Sequence, residues 1–192
     1  MPNWCYNTVT LVHEDRKMIS RAVKAAQKDV LLHEFVPIPQ ALSETTEGSF
    51  GDALEQARLS AQREGNRKTY GYSSWYDFAI GEWGTKWDIS NGCGTYKIKK
   101  VDNGYSVTLG FDTAWSPPIN FYNKLLELEF TVDAMYYEPG VNFCGRYYNG
   151  DDETFELSNL TSEEVKDQLP VEIDEYWGIS QEMAEYEAEE ND

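Results

Sequence analysis

Residues 81–88 of the chain read GEWGTKWD and place two tryptophans and one lysine around a turn of small residues. Trp75 precedes this stretch and Trp115 follows it, so four of the six tryptophans lie between these two positions. Large rings concentrated in this way are typical of either the centre of a hydrophobic core or a binding surface. In a core the stretch would stabilise the fold, whereas on a surface it would bind a ligand.

Three segments around this stretch carry clear secondary-structure patterns. Residues 96–111 alternate in polarity on both sides of the sequence DNG at 102–104, which predicts a β-hairpin. Residues 3–12 alternate in the same way and predict a strand. Residues 15–28 place apolar side chains at the i, i+3, i+4 and i+7 positions of an amphipathic helix.

The second half of the chain continues with a helix and further strands. Pro117 and Pro118 predict a helix start, because proline suits the first helical turn. The inward stripe of that helix is predicted to be Phe121, Leu125 and Leu128. Strands are predicted at residues 131–137, 142–148 and 154–157, with residues 149–153 as a turn.

The order strand, helix, strands, helix, strands predicts an α+β fold. A ferredoxin-like arrangement, the split βαβ, is the simplest that fits, with two helices on one face of an antiparallel or mixed sheet. This domain is predicted to span residues 1–150, with a helical surface insertion at about 40–80. Residues 151–192 are predicted to form an acidic helical extension packed on the domain, docked through Trp177, Ile179, Met183 and Tyr186.

The composition restricts the classes of protein and site. The sequence has no run of apolar residues long enough for a membrane span, and its first residues lack the pattern of a secretion signal. Cys5, Cys93 and Cys144 are odd in number and far apart, which favours reduced thiols in the cytoplasm. Neither His13 nor His33 has metal-ligand spacing. We therefore expect no cofactor, no metal and no enzyme activity.

Charge is distributed unevenly along the chain. The formal net charge is −18, but residues 1–150 hold 15 basic and 18 acidic side chains, whereas residues 151–192 hold one basic and 16 acidic side chains. A field of that sign repels nucleic acid and anionic membranes and attracts basic protein surfaces. We therefore expect a protein partner with a basic groove, with no direct contact to nucleic acid or membrane.

Several motifs together resemble one known family. They are PNWC at residues 2–5 with Asn7, Trp75, WGTKWD at 83–88, FDTAWSPP at 111–118, and YEPG at 137–140 with Phe143 and Gly145. In these motifs the chain resembles the YubB-type ferredoxin-like family found on phage and plasmid genomes. The resemblance covers roughly residues 1–150. It implies a ferredoxin-like fold without an iron–sulfur cluster and an origin on a mobile element, but no activity.

The acidic extension suggests a mechanism of partner binding. Carboxylates fixed on a helix can imitate a phosphate backbone and occupy the nucleic-acid groove of a host or defence protein, and so inhibit it. A solvated, solubilising surface is the alternative. The residues predicted to make the contact are Asp151, Asp152, Glu153, Glu163, Glu164, Asp167, Glu182, Glu185 and Glu189.

The tryptophan-rich stretch offers a second hypothesis, a small-ligand or nucleotide-binding module. Its cleft would lie near Lys86 and be formed by Trp83, Lys86, Trp87, Asn91 and Trp115. A nucleotide-acting enzyme using Lys86 and Asp88 is a further alternative. The structural alternative is that the three tryptophans are core rings and that Lys86 pairs with Asp88 or Glu82.

Overall fold

A six-stranded antiparallel sheet organises the chain, and its strands follow the order β2-β3-β1-β4-β5-β6. The computed structural model of the protein describes residues 2–190. β1 pairs with both β3 and β4, which places it inside the sheet and leaves β2 and β6 at the edges. The strands are β1 (Trp4–His13), β2 (Lys99–Val101), β3 (Gly104–Ala114), β4 (Thr131–Glu138), β5 (Phe143–Tyr148) and β6 (Asp151–Glu156).

The first face of the sheet carries the main hydrophobic core. Alternate residues of the central strands point to this face, among them Val9, Leu11 and Leu109. Two amphipathic helices, α1 (Arg16–Ala26) and α6 (Ile119–Glu127), pack against these residues. Each fully buried aliphatic side chain contributes about 1.5–3 kcal/mol to the free energy of unfolding.

The segment between α1 and β2 is mainly helical. It contains α2 (Leu31–Phe35), α3 (Gln40–Ser43), α4 (Ala53–Tyr70), α5 (Trp75–Phe78) and a π-helical turn (Ala79–Trp83). Asp52 caps α4 with a reciprocal bond from Glu55, and Gly71 ends that helix in the left-handed conformation. Little of α4 is buried, so this helix lies on the surface, as the sequence predicted.

The C-terminal helices cover the second face of the sheet at β4, β5 and β6. These are α7 (Ser162–Gln168), α8 (Val171–Trp177) and α9 (Ile179–Glu190). Their apolar side chains form a second core with residues of β4 and β5 that point away from α1 and α6. Its buried members are Tyr137, Cys144, Leu157, Val165, Leu169, Ile173 and Ile179.

Three local predictions were wrong. Residues 151–153 belong to strand β6 rather than to a turn, because Asn149 and Gly150 alone reverse the chain with φ values of 46° and 107°. Two positive φ values are the property of the tight hairpin turn that Asn-Gly favours. Leu128 follows the end of α6 and leaves 38% of its surface exposed, and Tyr186 points to solvent from α9 instead of docking it.

We expect Gly145→Ala to lower the free energy of unfolding by about 1–3 kcal/mol through overpacking. The Tyr136 ring lies over Gly145, and its hydroxyl contacts Asp152 and Thr154 of β6. A methyl group at Gly145 would overlap the Tyr136 hydroxyl and the Glu153 carbonyl oxygen. Urea denaturation measures this change.

Gly110→Ala is the matched control, because Gly110 also lies in a strand but has open space where the methyl group would go. This substitution is expected to change the free energy of unfolding by no more than about 0.5 kcal/mol. Equal effects of the two substitutions would show that close approach of Tyr136 does not select glycine at position 145.

Candidate functional site

Hydrogen bonds at the helix ends hold the acidic helices in place, in addition to the apolar contacts of the second core. Thr161 and Glu164 form a reciprocal cap at the start of α7. The Asp174 carboxylate accepts hydrogen bonds from the backbone N–H and hydroxyl of Ser180, at 2.7 and 2.6 Å, and so holds the first turn of α9. Gly178 separates α8 from α9 with a φ of +66°. The three short helices therefore have defined positions.

α7 and α9 pack side by side, and a carboxylate joins them. The Glu187 carboxylate accepts hydrogen bonds from the backbone N–H of Ser162 at 2.8 Å and from its hydroxyl at 2.6 Å. These bonds lower the pKa of Glu187, and bonds from Thr161 lower the pKa of Glu164. Both side chains are therefore ionised over the neutral pH range while they perform a structural role.

The nine predicted contact residues are divided among three elements. Glu182, Glu185 and Glu189 lie on one face of α9, where they line a shallow groove of about 240 Å³ with Tyr186. Glu163 and Asp167 are exposed one helical turn apart on α7. These five residues lie on two neighbouring helices.

The four other predicted contact residues lie apart from these. Asp151, Glu153 and Phe155 occupy every second position of β6 and therefore point to the same face of the sheet. Because Phe155 packs in the second core, this is the second face. Asp152 points to the first face, where it accepts a hydrogen bond from Tyr136 at 2.8 Å. Glu164 is engaged in the cap of α7. The prediction missed Glu172 and Tyr176 of α8, which line a groove beside Arg146 on the second face.

Very little positive charge lies near these carboxylates. Apart from Glu187, no carboxylate among the described residues 151–189 makes a salt bridge with a lysine or arginine. Arg146 of β5 pairs instead with Asp133 of β4 at 3.0 Å. Glu163 and Asp167 of α7 and Glu182 and Glu189 of α9 are therefore left to solvent or to an external cation.

The tryptophan-rich stretch divides into a core part and a surface part. Trp83 is buried, and its indole N–H donates to the Val36 carbonyl oxygen at 2.9 Å. Gly84 then turns the chain with a φ of +85°, so that Trp87 points to solvent with 40% of its surface exposed. Trp83 therefore belongs to the core, and the prediction that it lines a cleft was wrong.

Lys86 lies among three aromatic rings. Its Nζ atom is 4.6 Å from the ring centroid of Trp87, 4.9 Å from that of Trp115 and 5.8 Å from that of Tyr76. These distances are typical of cation–π interactions. Trp115 is 42% exposed and has a φ of +68°, which is unusual for a bulky residue. Tyr76 was not among the residues predicted to form the cleft.

The carboxylates expected to pair with Lys86 have other partners. Asp88 accepts hydrogen bonds from the backbone N–H groups of Leu32 and His33 and so caps α2, and burial raises its pKa. Glu82 accepts the Tyr72 hydroxyl and pairs with Lys124 at 3.5 Å. Asn91 donates to Asp112 at 2.5 Å. The predicted pairing of Lys86 with Asp88 or Glu82 was therefore wrong.

Two of the three thiols are poorly suited to nucleophilic chemistry. Cys5 and Cys144 are buried, and burial raises the pKa of both thiols, that of Cys144 to about 12. A thiol with so high a pKa is protonated at neutral pH, and the thiolate is the reactive form. Within residues 2–190, no three histidine, cysteine or carboxylate side chains are grouped to hold a metal ion.

Comparison with known proteins adds a distant structural likeness. No family model matches the chain, and no curated protein sequence matches it. A crystal structure of a protein api92 from Yersinia pseudotuberculosis, of the family DUF1281, aligns with a TM-score of 0.40 and 10% sequence identity. The alignment covers 81% of this chain and 98% of that one. In the described part of the chain, no helix is both long and apolar enough to cross a membrane.

Proposed function

We propose that the protein binds a partner with a basic nucleic-acid-binding groove through the carboxylates of α7 and α9, and thereby inhibits it. The observation that supports this proposal is the second core, which fixes these helices against the sheet. An ordered array of charges loses less conformational entropy on binding than a flexible acidic tail would lose.

The spacing of the carboxylates supports mimicry by two helices better than by one. Glu182, Glu185 and Glu189 are separated by about 4.5 and 6 Å along the axis of α9, from the rise of 1.5 Å per residue. Duplex DNA carries one charge per about 1.7 Å of its axis. Glu163 and Asp167 on the neighbouring α7 raise the charge density of the surface. The array remains sparser than DNA, which favours a partner with a few well-placed basic side chains.

The same proposal includes a fold type and an origin. The order β2-β3-β1-β4, with α1 and α6 on one face, is the order expected of a ferredoxin-like core, to which β5 and β6 add two strands. The motifs shared with the YubB-type family favour a phage or plasmid protein that acts in the host cell cytoplasm. We therefore propose a host defence or nucleic-acid-binding protein as the partner.

We expect the triple substitution Glu182→Gln, Glu185→Gln and Glu189→Gln to weaken capture of such a partner about tenfold, because charges at an interface steer and hold a basic surface. The measurement uses immobilised protein, bacterial lysate, and elution with duplex DNA. Proteins that wild type retains should be displaced by the duplex, and retention should fall as salt rises.

The matched control is the triple substitution Glu14→Gln, Asp102→Asn and Glu129→Gln. It removes three exposed carboxylates that line a different groove, beside the end of β1 and the start of β3. Equal retention by wild type and by the α9 variant would contradict the proposal, and so would retention that is independent of salt. Deleting residues 151–192 is a poor test, because it would expose Tyr137 and Cys144 to water.

The surface formed by Lys86, Trp87 and Trp115 favours a second candidate function, a nucleotide-binding module. Two half-exposed indoles with ring centroids 6.4 Å apart and a lysine between them provide stacking and a positive charge. The positive φ of Trp115 is a further reason, because strained backbone is found at functional sites. A nucleotide-acting enzyme would use the same surface.

ATP is the probe for this second function. We expect Trp87→Ala to weaken saturable quenching of tryptophan fluorescence by ATP about tenfold, since a stacking contact is worth about 1–3 kcal/mol. Trp177→Phe, which changes a ring in the second core, should leave the affinity unchanged. Quenching that never saturates, or that is equal in wild type and Trp87→Ala, would exclude nucleotide binding at this surface.

A further inference from the structure

A groove between α1 and α2 gathers positive charge on the first face of the sheet. Five of the chain's 16 basic residues lie between positions 16 and 28. All five line this groove, which has a volume of about 790 Å³ and also contains Ser20, Val30 and Glu34. The basic residues are Arg16, Lys17, Arg21, Lys24 and Lys28.

The carboxylates of the groove are already engaged within the fold. Glu34 pairs with Arg21 at 2.6 Å, and Arg21 also lies over the ring of Phe35. Asp15 caps α1 by accepting the backbone N–H of Lys17 at 2.8 Å. Asp29, next to the groove, accepts the backbone N–H of Gly92 at 2.7 Å.

The remaining basic side chains are exposed and free of ion pairs. Among residues 2–190, Arg16, Lys17, Lys24 and Lys28 make no salt bridge. These four exposed cations lie within 13 residues of sequence and line one groove. Their charge is therefore available to an external anion.

Lys17 and Lys24 lie two turns apart on one side of α1, and Lys28 follows the end of that helix along the same groove. Lys17 and Lys24 are separated by about 10 Å along the axis of α1, from the rise of 1.5 Å per residue. A linear ligand with repeated negative charges fits this arrangement better than a compact anion does. None of the residues that line the groove is aromatic, so the groove contains no ring on which a base could stack.

The acidic helices lie on the other side of the sheet from this groove. α1 packs on the first face, whereas α7 to α9 pack on the second face. Packed layers are separated by about 10 Å, and the Debye length is about 8 Å at physiological ionic strength. The field of the acidic surface is therefore largely screened at the groove, and the net charge of the chain does not exclude anion binding there.

We propose that the groove between α1 and α2 binds the phosphate backbone of a nucleic acid strand without reading its sequence. This site is independent of the function proposed for the acidic helices. Phosphate contacts by lysine and arginine fix a strand in place but carry no sequence information. The prediction from net charge that nucleic acid is not contacted would then fail at this one surface.

The test is fluorescence anisotropy with a labelled single-stranded oligonucleotide of mixed sequence, titrated with the full chain at several salt concentrations. Four phosphate contacts predict a slope of log K against log salt of about −3, from about −0.7 per contact. The substitutions Lys17→Gln, Lys24→Gln and Lys28→Gln should weaken binding at least tenfold at low salt. They should also reduce the slope to about −1.

The matched control removes three charges from α4 by Arg58→Gln, Arg67→Gln and Lys68→Gln, all at exposed positions. This control should retain nearly the affinity of wild type. The proposal is overturned if both variants lose affinity equally, if wild type does not bind at low salt, or if polyglutamate binds as tightly as the oligonucleotide. Inorganic tripolyphosphate binding as tightly as the oligonucleotide would also overturn it, in favour of a small phosphorylated ligand.

Discussion

Burial of apolar side chains beneath α7, α8 and α9 is the interaction on which the acidic surface depends. Ile173 and Ile179 pack on Tyr137 and Cys144 of the sheet. Each such side chain contributes about 1.5–3 kcal/mol, whereas a like-charge pair one helical turn apart costs about 0.2–0.5 kcal/mol. Burial therefore outweighs repulsion between the carboxylates, and the charge can be dense and ordered at the same time.

The sheet separates two surfaces of opposite character. Its first face carries α1, where Arg16, Lys17 and Lys24 make no salt bridge within residues 2–190, and its second face carries the acidic helices. A net charge of −18 describes neither surface, because it averages over both. At physiological salt, screening over about 8 Å lets each surface act according to its own charge. The two proposed interactions, one with the basic groove of a partner and one with an anionic strand, therefore do not exclude each other.

The sequence predicted the elements that depend on local patterning. Strand β1, helix α1 and the turn at residues 102–104 follow from alternation, amphipathic spacing and turn chemistry. It did not predict which tryptophans are buried, because the turn at Gly84 directs Trp83 inward and Trp87 outward. The roles of Glu187 and Asp174 as caps also depend on contacts between helices, for which the sequence contains no signal.

Amide hydrogen exchange followed by mass spectrometry tests most directly whether the second core orders the acidic helices. The account predicts slow exchange in α7 to α9, with opening free energies of the same order as those of β3, because the two cores share the sheet. Exchange in residues 162–189 at the rate of an unstructured peptide, with β3 still protected, would contradict it. The carboxylates would then belong to a flexible tail, and no fixed acidic surface would exist.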